Sequence, residues 1–351
     1  MYFISNYILF LLKILTIFIL FFLIIFLLIS TMRKKNKNRD KLNVISLNNY
    51  YKSMKNEIFF AKLSKNEKKI WDKNKKNNKK NKFRNFFKFI KTIKTIKTIK
   101  NNNSYEKKST LYVLDFKGGI QAVELESLRQ EISAIILAFK KGDEVLLRLE
   151  SGGGVVHGYG LAAEQLNRLR KRSIYLTISV DKIAASGGYM MACVANKIIG
   201  APFSIIGSIG VAAQIPNFYK FLEKNNIDIE SHTAGEYKRT LTIFGKNTAE
   251  AREKFRLELS DIHNLFKEFV CNMRPSLNVK EVFNGKYWFG SIALKKGLID
   301  KINTSDDFII SKMENFTILN LKYMTKKPIL KSLIVKIQKN IKNIIFKILK
   351  I

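Results

Sequence analysis

The sequence predicts an α/β domain with a mainly parallel sheet, preceded by a transmembrane helix at the N-terminus. Three observations lead to this prediction. Apolar, strand-like segments alternate with amphipathic, helix-like segments over residues 110–324, and such alternation is typical of a parallel sheet covered by helices. Residues 1–30 are almost wholly apolar, with Lys13 as their one charged residue. The two flanks of the central region are strongly basic.

The N-terminal segment is long enough to span a bilayer. Between residues 14 and 29 the only polar side chain is Thr16, and with Tyr7–Leu12 the run reaches the ~20 apolar residues that a transmembrane helix needs. No small-residue cleavage site follows the run, so we expect residues 1–30 to be a retained anchor rather than a signal peptide. The basic stretch TMRKKNKNRDK that follows favours the cytoplasmic side of the membrane.

The net charge of +35 is distributed unevenly. Residues 1–110 hold 27 Lys/Arg and 5 Asp/Glu, residues 111–324 hold 28 and 23, and residues 325–351 hold 8 and none. The central region is therefore ordinary in composition, and we expect no nucleic-acid partner, which would require the basic surface on the folded domain itself.

The two basic flanks differ in pattern. Residues 31–109 are rich in Lys and Asn and predict a solvated basic linker. Residues 325–351 place Ile and Leu at helical spacing between lysines, which predicts a basic amphipathic helix. That helix could lie on a membrane or on a partner subunit, and its pattern does not distinguish the two.

The central region predicts its elements in chain order. The predicted strands are 110–116, 144–150, 174–180, 197–201 and 227–234. The predicted helices are 122–141, 158–172, a segment that begins near Ser186, 218–226 and 247–273. The first of these helices keeps its apolar residues mostly on one face. The last has a start signal at Asn247 and Thr248. Glycines and Pro202 interrupt the apolar run 197–215, so we interpret it as a core strand and turn rather than a second membrane span.

Three glycine-rich turns each follow a predicted strand. They are Ser151-Gly152-Gly153-Gly154, Ser186-Gly187-Gly188 and Gly207-Ser208-Ile209-Gly210. In an open α/β sheet, turns at the carboxyl ends of strands are where ligands and catalytic groups gather. None of the three has the spacing of a phosphate-binding loop. At a helix N-terminus, the Ser186 hydroxyl would be exposed and the Gly187 N–H would be free to bind an oxyanion.

A serine nucleophile needs a base to take its proton. His157 and His232 are candidates, but neither has a sequence context that fixes it. Lys238 is another candidate, since burial lowers a lysine pKa toward the working pH. The histidines and the two cysteines, Cys193 and Cys271, show no metal-ligand spacing. We therefore expect no metal, no cofactor and no disulfide.

Four segments, in this order and spacing, carry a resemblance to a known family: ESGGGVVHGYG, VDKIAASGGYMMACVANKI, GSIGV and HTAGEYKRTLT. Over residues 110–324 the chain resembles the signal-peptide-peptidase family of membrane serine proteases, and in particular its SohB-type members. The resemblance implies a crotonase-like fold shared with the Clp protease subunit, a Ser/Lys dyad and a homo-oligomeric ring in a bacterial inner membrane. Some members carry the catalytic domain outside the cytoplasm, on the side opposite to the one that the basic flank favours.

The same resemblance implies a role for each matching residue. Ser186 would be the nucleophile and Lys238 the general base, while Ser208 would hydrogen-bond the lysine and orient it. The N–H groups of Gly153 and Gly187 would form the oxyanion hole. Where the family usually has Ser-Pro-Gly-Gly, this chain has glycine at position 152, and the loss of the proline loosens the turn.

The function implied is that of a membrane-anchored serine endopeptidase that hydrolyses peptide bonds through an acyl-enzyme, with signal peptides or other membrane-associated peptides as substrates. Two other hypotheses stay open. A non-catalytic membrane scaffold with a decayed site is kept open by the lost proline and by the drift toward Lys and Asn. A crotonase-type acyl-CoA enzyme would share the fold but has no use for a pair of Ser186 and Lys238.

Overall fold

A computed structural model gives the fold of five segments of the chain. The described residues are 10–23, 25–26, 41–68, 108–235 and 240–324. The chain divides into two compact units, Asn43–Tyr323 and a second one made of Met1–Leu42 with Met324–Ile351. In the second unit residues 10–23 and 25–26 are helical. Within the described segments, no helix combines the length and the apolarity that crossing a bilayer requires. The predicted C-terminal helix over 325–351 lies outside the described residues.

The strands of the described segments join into one ten-stranded sheet. The strands are β1 (Lys41–Ser46), β2 (Ser109–Gly118), β3 (Glu144–Ser151), β4 (Tyr175–Val180), β5 (Ile183–Ala185), β6 (Lys197–Gly200), β7 (Ile205–Gly207), β8 (Tyr287–Phe289), β9 (Lys301–Ile302) and β10 (Phe316–Met324). The order across the main sheet is β1-β10-β2-β3-β4-β6-β9, and a side branch runs from β3 through β5 and β7 to β8. The pairs from β10 to β9 are parallel, as are β3–β5 and β5–β7, whereas β8 is antiparallel to β7. The mixed α/β fold with a mainly parallel sheet is therefore confirmed.

The helices lie between these strands. They are α1 (Leu47–Lys62), α2 (Leu125–Ala138), α3 (Val156–Arg170), α4 (Gly187–Ala192), α5 (Tyr219–Lys224), α6 (Ala249–Met273), α7 (Val279–Val282), α8 (Gly290–Lys295) and α9 (Ser305–Lys312). The start signal predicted for the longest helix is confirmed, since the Ala251 N–H donates to Thr248 Oγ1 at 3.1 Å. That bond satisfies one of the four N–H groups that a helix leaves free at its first turn.

The core forms around the central strands of the sheet. Val145, Leu146 and Leu147 follow one another along β3 and have no exposed surface. Consecutive strand residues point to opposite faces, so this run requires cover on both faces, as parallel sheets have. Ile132 of α2 and Leu166 of α3 are also fully buried. With both faces covered, the ends of the strands are the places where a ligand can reach the sheet.

Part of the segment predicted as a linker, 31–109, belongs to the folded unit. Strand β1 joins the edge of the sheet beside β10, and α1 follows it. The Asn48 side chain donates to Phe316 O at 3.1 Å and accepts from Ile318 N–H at 2.6 Å, while Leu47 packs against buried core residues. Composition alone does not predict that β1 and α1 belong to the folded unit, because the contacts of Asn48 are with residues 268 and 270 positions away.

Residues 227–234 do not form the predicted strand. Ile227 and Ile229 alternate with polar residues, but they are 48% and 49% exposed and no strand of the described segments pairs with them. The Ile227 N–H instead bonds back to Leu222 O at 3.0 Å, so the segment closes α5. Alternation predicts a strand only where a partner strand and a buried face exist.

Candidate active site

The three glycine-rich turns meet at one edge of the sheet. They follow β3, β5 and β7, which are consecutive neighbours in the side branch of the sheet. Ser151 at the end of β3 pairs with Ala184, and Ala185 at the end of β5 pairs with Gly207. Because the three strands are parallel, their carboxyl ends point the same way. The strands therefore present the three turns side by side.

Ser186 sits at the sharp turn between β5 and α4. Its backbone has φ +51° and ψ −120°, which is rare for a residue with a Cβ. Two backbone hydrogen bonds hold it there, since its N–H donates to Gly207 O at 2.8 Å and its carbonyl accepts from Met190 N–H at 3.0 Å. The side chain is half-buried, and its Oγ has no hydrogen-bond partner among the described residues. A strained serine with an unengaged hydroxyl at a strand-to-helix turn is typical of a nucleophile.

The two glycines after Ser186 allow the helix to start close to its neighbours. A Cβ built on Gly187 would lie 2.5 Å from Cγ of Tyr159, and one on Gly188 would collide with Ser151 O. Neither position can therefore carry a side chain without moving the turn. The N–H of Gly187 lies in the first turn of α4 and has no acceptor in the described segments, so it is available to bind a negatively charged oxygen.

The turn after β3 lies against the turn of Ser186. Gly153 has φ +91°, and a Cβ built on it would be 2.7 Å from Gly187 N and 2.8 Å from Ser186 Cβ. Its N–H is engaged, since it donates to Ser151 Oγ at 3.1 Å. An oxyanion would have to draw this N–H away from Ser151.

Gly154, the next residue of the same turn, was not predicted to be one of the oxyanion-binding residues. A Cβ on Gly154 would collide with Ile120 O, which accepts from the Val155 N–H at 3.0 Å. Gly154 is exposed, lines the cavity beside Ser186, and its own N–H has no acceptor among the residues described. The run of three glycines was the available signal, because only a backbone that approaches another closely needs glycine at consecutive positions.

Ser208 lies in the third turn. It is half-buried and has φ +52°. Its N–H donates to Lys286 O at 2.7 Å, and its Oγ donates to Gly285 O at 3.2 Å. It lines the same cavity as Ser186. The predicted base, Lys238, lies outside the described residues together with residues 236, 237 and 239.

Two adjoining cavities open beside Ser186. The larger, of about 600 Å³, is lined by the glycines of the first turn and by Ser186 and Ser208. The smaller, of about 80 Å³, lies next to Ser186 and Gly187 and has an apolar lining. Its side chains are those of Val156, Tyr159, Met190, Val211, Ala212, Ile262 and Phe266. A cavity of this volume has room for one apolar side chain of limited size.

The histidines that the sequence offered as alternative bases line neither cavity. His157 is exposed, and the exposed side chain of His232 has its Nε2 3.5 Å from Glu230 Oε2. In the described segments, no three His, Cys, Asp or Glu side chains come together as a metal site would require. The groups gathered at the strand ends are thus serine hydroxyls and backbone N–H groups.

Sequence comparison identifies the family of this arrangement. The sequence model of the peptidase family S49 N-terminal region matches residues 2–166, and that of peptidase family S49 matches residues 168–318. The chain belongs to peptidase family S49. Its resemblance to the SohB type is also confirmed, because it is 55% identical over 359 residues to the putative protease SohB of Buchnera aphidicola subsp. Baizongia pistaciae, with 99% of each chain covered.

Two further relatives carry the same description. The probable protease SohB of Buchnera aphidicola subsp. Schlechtendalia chinensis is 60% identical over 313 residues, which cover 88% of this chain and 99% of the relative. The probable protease SohB of Haemophilus influenzae is 55% identical over 226 residues, or 64% of each chain. The protein is therefore a protease of the SohB type, and the crotonase-like arrangement that the resemblance implied stays a prediction.

Proposed function

We propose that this S49 protease is a membrane-anchored serine endopeptidase that uses Ser186 as nucleophile and Lys238 as general base. The observation that supports this proposal most directly is the geometry at Ser186. The residue is held in a strained turn by two backbone hydrogen bonds, and its hydroxyl faces a cavity without a partner among the described residues. Strain of this kind clusters at functional sites.

In the proposed reaction, the neutral amine of Lys238 takes the proton of the Ser186 hydroxyl as its oxygen attacks a peptide carbonyl carbon. The carbonyl oxygen becomes an oxyanion. When the carbon–nitrogen bond breaks, the lysine returns its proton to the leaving amine, and the acyl group stays on Ser186. Water, deprotonated by the same lysine, then releases the acyl group and restores the serine. Ser208 orients the lysine in this scheme.

The oxyanion donors come from the two glycine turns. The Gly187 N–H is open at the start of α4, which supports its role directly. For Gly153, the proposal requires the oxyanion to replace Ser151 Oγ as the acceptor of its N–H. The open N–H of Gly154 lines the same cavity and adds a donor in that turn. Loss of one such donor typically costs a factor of about 10²–10³ in kcat.

The substrates proposed are peptides, including signal peptides and other membrane-associated peptides. The small apolar cavity beside Ser186 supports this class, because it would bury one uncharged side chain next to the reacting carbonyl. Charged side chains would lose their hydration there without gaining a partner. We therefore expect cleavage after small or medium apolar residues.

The proposed setting is a bacterial inner membrane, with residues 1–30 as the anchor, residues 110–324 as the peptidase domain and residues 325–351 as a basic amphipathic helix. The apolarity of the first 30 residues supports the anchor.

A homo-oligomeric ring is supported by exposed apolar side chains in the stretch that surrounds Lys238. Those side chains are Ile215, Phe218, Phe221, Ile227, Ile229, Ile243 and Phe244. Neither a nucleic acid nor a cofactor is part of the proposal.

The test uses the full-length protein in detergent with a casein or apolar peptide substrate. Wild type should cleave the substrate and react with a fluorophosphonate at Ser186, while Ser186→Ala should do neither. Ser173→Ala is the matched control, because Ser173 is exposed and also has a positive φ, of +57°, but lines neither cavity. Equal cleavage by wild type and Ser186→Ala would disprove the proposal. Binding of acyl-CoA without proteolysis would favour the crotonase-type alternative, and absence of all three activities would favour a scaffold.

A further inference from the structure

A buried tyrosine lies beneath the site and contacts the start of α4. Tyr159 is in α3 and has no exposed surface. Its ring leaves no room for a side chain on Gly187, where a built Cβ would come within 2.5 Å of Tyr159 Cγ and 2.8 Å of its Cβ. The edge of Phe116 holds the ring from another side, with ring centroids 6.3 Å apart. The ring therefore fixes the position of the residue that follows the nucleophile.

The hydroxyl of the same tyrosine contacts the glycine turn after β3. Tyr159 Oη lies 2.6 Å from Ser151 Oγ and 2.8 Å from Gly119 O. Ser151 Oγ in turn lies 3.1 Å from Gly118 O and accepts the N–H of Gly153 at 3.1 Å. This set of contacts links a side chain of α3 to the backbone of the turn that faces Ser186.

Each hydroxyl has one proton, so the two protons serve two of the three contacts with an oxygen acceptor, and two arrangements place a proton between the hydroxyls, which lie 2.6 Å apart. Either Tyr159 donates to Gly119 O and Ser151 donates to Tyr159, or Tyr159 donates to Ser151 and Ser151 donates to Gly118 O. In both arrangements the bond between the two hydroxyls is made, and Ser151 Oγ keeps a lone pair for the Gly153 N–H. The tyrosine hydroxyl thus holds Ser151 Oγ in the place from which it restrains the turn.

We infer that Tyr159 is a positioning residue that sets the spacing between the two oxyanion-binding turns, with its ring against Gly187 and its hydroxyl on Ser151. The inference rests on the proposed function, since it concerns the geometry of that reaction. The turn after β3 needs such a restraint, because glycine at position 152 leaves the backbone free where a proline would fix it. Without the hydroxyl, Ser151 can turn away, and the Gly153–Gly154 backbone loses its fixed distance from Ser186.

The effect should be the same at every pH. Burial raises the pKa of the Tyr159 hydroxyl. The hydrogen bond with Ser151 acts against burial and lowers this pKa, while the Glu124 carboxylate raises it further. The hydroxyl therefore stays protonated and keeps its hydrogen bonds across the range in which a peptidase is assayed. A loss caused by a disturbed general base would instead vary with pH.

The test compares Tyr159→Phe with wild type, again as full-length protein in detergent. The variant keeps the ring against Gly187 and removes only the hydroxyl. We expect kcat to fall at least tenfold, since misplacement of a reacting group by 1 Å can cost about 10²-fold. KM should stay within about twofold, the loss should be constant with pH, and fluorophosphonate labelling should slow by a similar factor.

The matched control is Tyr112→Phe. Tyr112 is also buried, and its hydroxyl donates to Asp143 Oδ2 at 3.4 Å near the start of β2, at the opposite end of the strands from the site. This variant should lose a comparable hydrogen bond and keep its kcat. Ser151→Ala should lower kcat as Tyr159→Phe does, and the double variant should be no slower than the slower single one, because both changes break one linkage.

The inference fails if Tyr159→Phe keeps kcat within twofold of wild type, if it raises KM alone, or if its effect adds fully to that of Ser151→Ala. If Tyr159→Phe does not fold, Ser151→Ala gives the decisive measurement, and an unchanged kcat there overturns the inference. Ser186→Ala separates these outcomes from failure of the proposed function. If Ser186→Ala remains active, the reaction itself was assigned wrongly.

Discussion

Replacing Ser186 by glycine should abolish the peptidase activity and stabilise the fold. The backbone of Ser186, at φ +51° and ψ −120°, costs a residue with a Cβ about 1–3 kcal/mol. Glycine adopts this backbone conformation without strain, but its greater conformational freedom in the unfolded chain lowers the free energy of unfolding by about 0.5–1 kcal/mol. Ser186→Gly should therefore be more stable than Ser186→Ala, which removes the same hydroxyl but keeps the Cβ, by up to about 2.5 kcal/mol.

The measurement is guanidinium unfolding of the full-length chain in detergent, followed by tryptophan fluorescence. Ser173→Gly is the matched control, because Ser173 has φ +57°, is exposed and precedes β4, at the opposite end of the strands from the glycine turns. It should gain stability and keep full activity. If the unfolding midpoint of Ser186→Gly does not exceed that of Ser186→Ala, the backbone at Ser186 stores no strain and the reasoning is refuted.

Four more predictions concern the glycine turn after β3 and two charged side chains elsewhere in the fold. Gly152→Ala should stay active, and its free energy of thermal unfolding should rise by about 0.5 kcal/mol. The reason is that φ at Gly152 is not in the left-handed region and a Cβ there meets only a methyl group at 3.8 Å. Gly154→Ala should lose activity, since its Cβ would collide with a carbonyl oxygen. Burial raises the pKa of Glu131 from 4.5 to about 7. The free energy of unfolding of the wild type should therefore fall as pH rises between these values. Glu131→Gln should be more stable than wild type at pH 8 by roughly 2–3 kcal/mol, but not at pH 4. Arg274→Lys should lower the free energy of unfolding by about 1–3 kcal/mol, because lysine cannot replace the paired bonds of 2.8 and 2.9 Å to Asp300.

The sequence was sufficient to predict the central strands and the place of Ser186. Residues 144–150 were predicted as a strand, and β3 occupies Glu144–Ser151 with the consecutive apolar residues Val145, Leu146 and Leu147 in it. Such a run has one stable environment, the middle of a sheet covered on both faces. Ser186 was predicted at the start of a helix, and α4 begins at Gly187, because two adjacent glycines are unfavourable anywhere except at a helix end or a close contact.

The short strands of the side branch could not be predicted. Strands β5 and β7 have three residues each, too few for a periodicity to emerge. Their conformation follows from pairing with β3 and with each other, which is a tertiary effect. The contribution of Tyr159 was hidden for a related reason. The position of Tyr159 on an apolar helix face predicts only a core residue. Its hydroxyl contacts Ser151 and Gly119 only once the chain is folded.

The parallel side branch has a consequence for how this site can change over time. Neighbouring strands are held about 4.8 Å apart by their hydrogen bonds, so the sheet sets the distance between the strand ends from which the turns after β3, β5 and β7 start. The side chains that line the small apolar cavity come largely from α3, α4 and α6 instead. Mutation of the cavity-lining side chains other than Tyr159 can therefore alter which residue is accepted for cleavage, while the spacing of the strand ends and the contacts of Tyr159 with both turns are inherited unchanged.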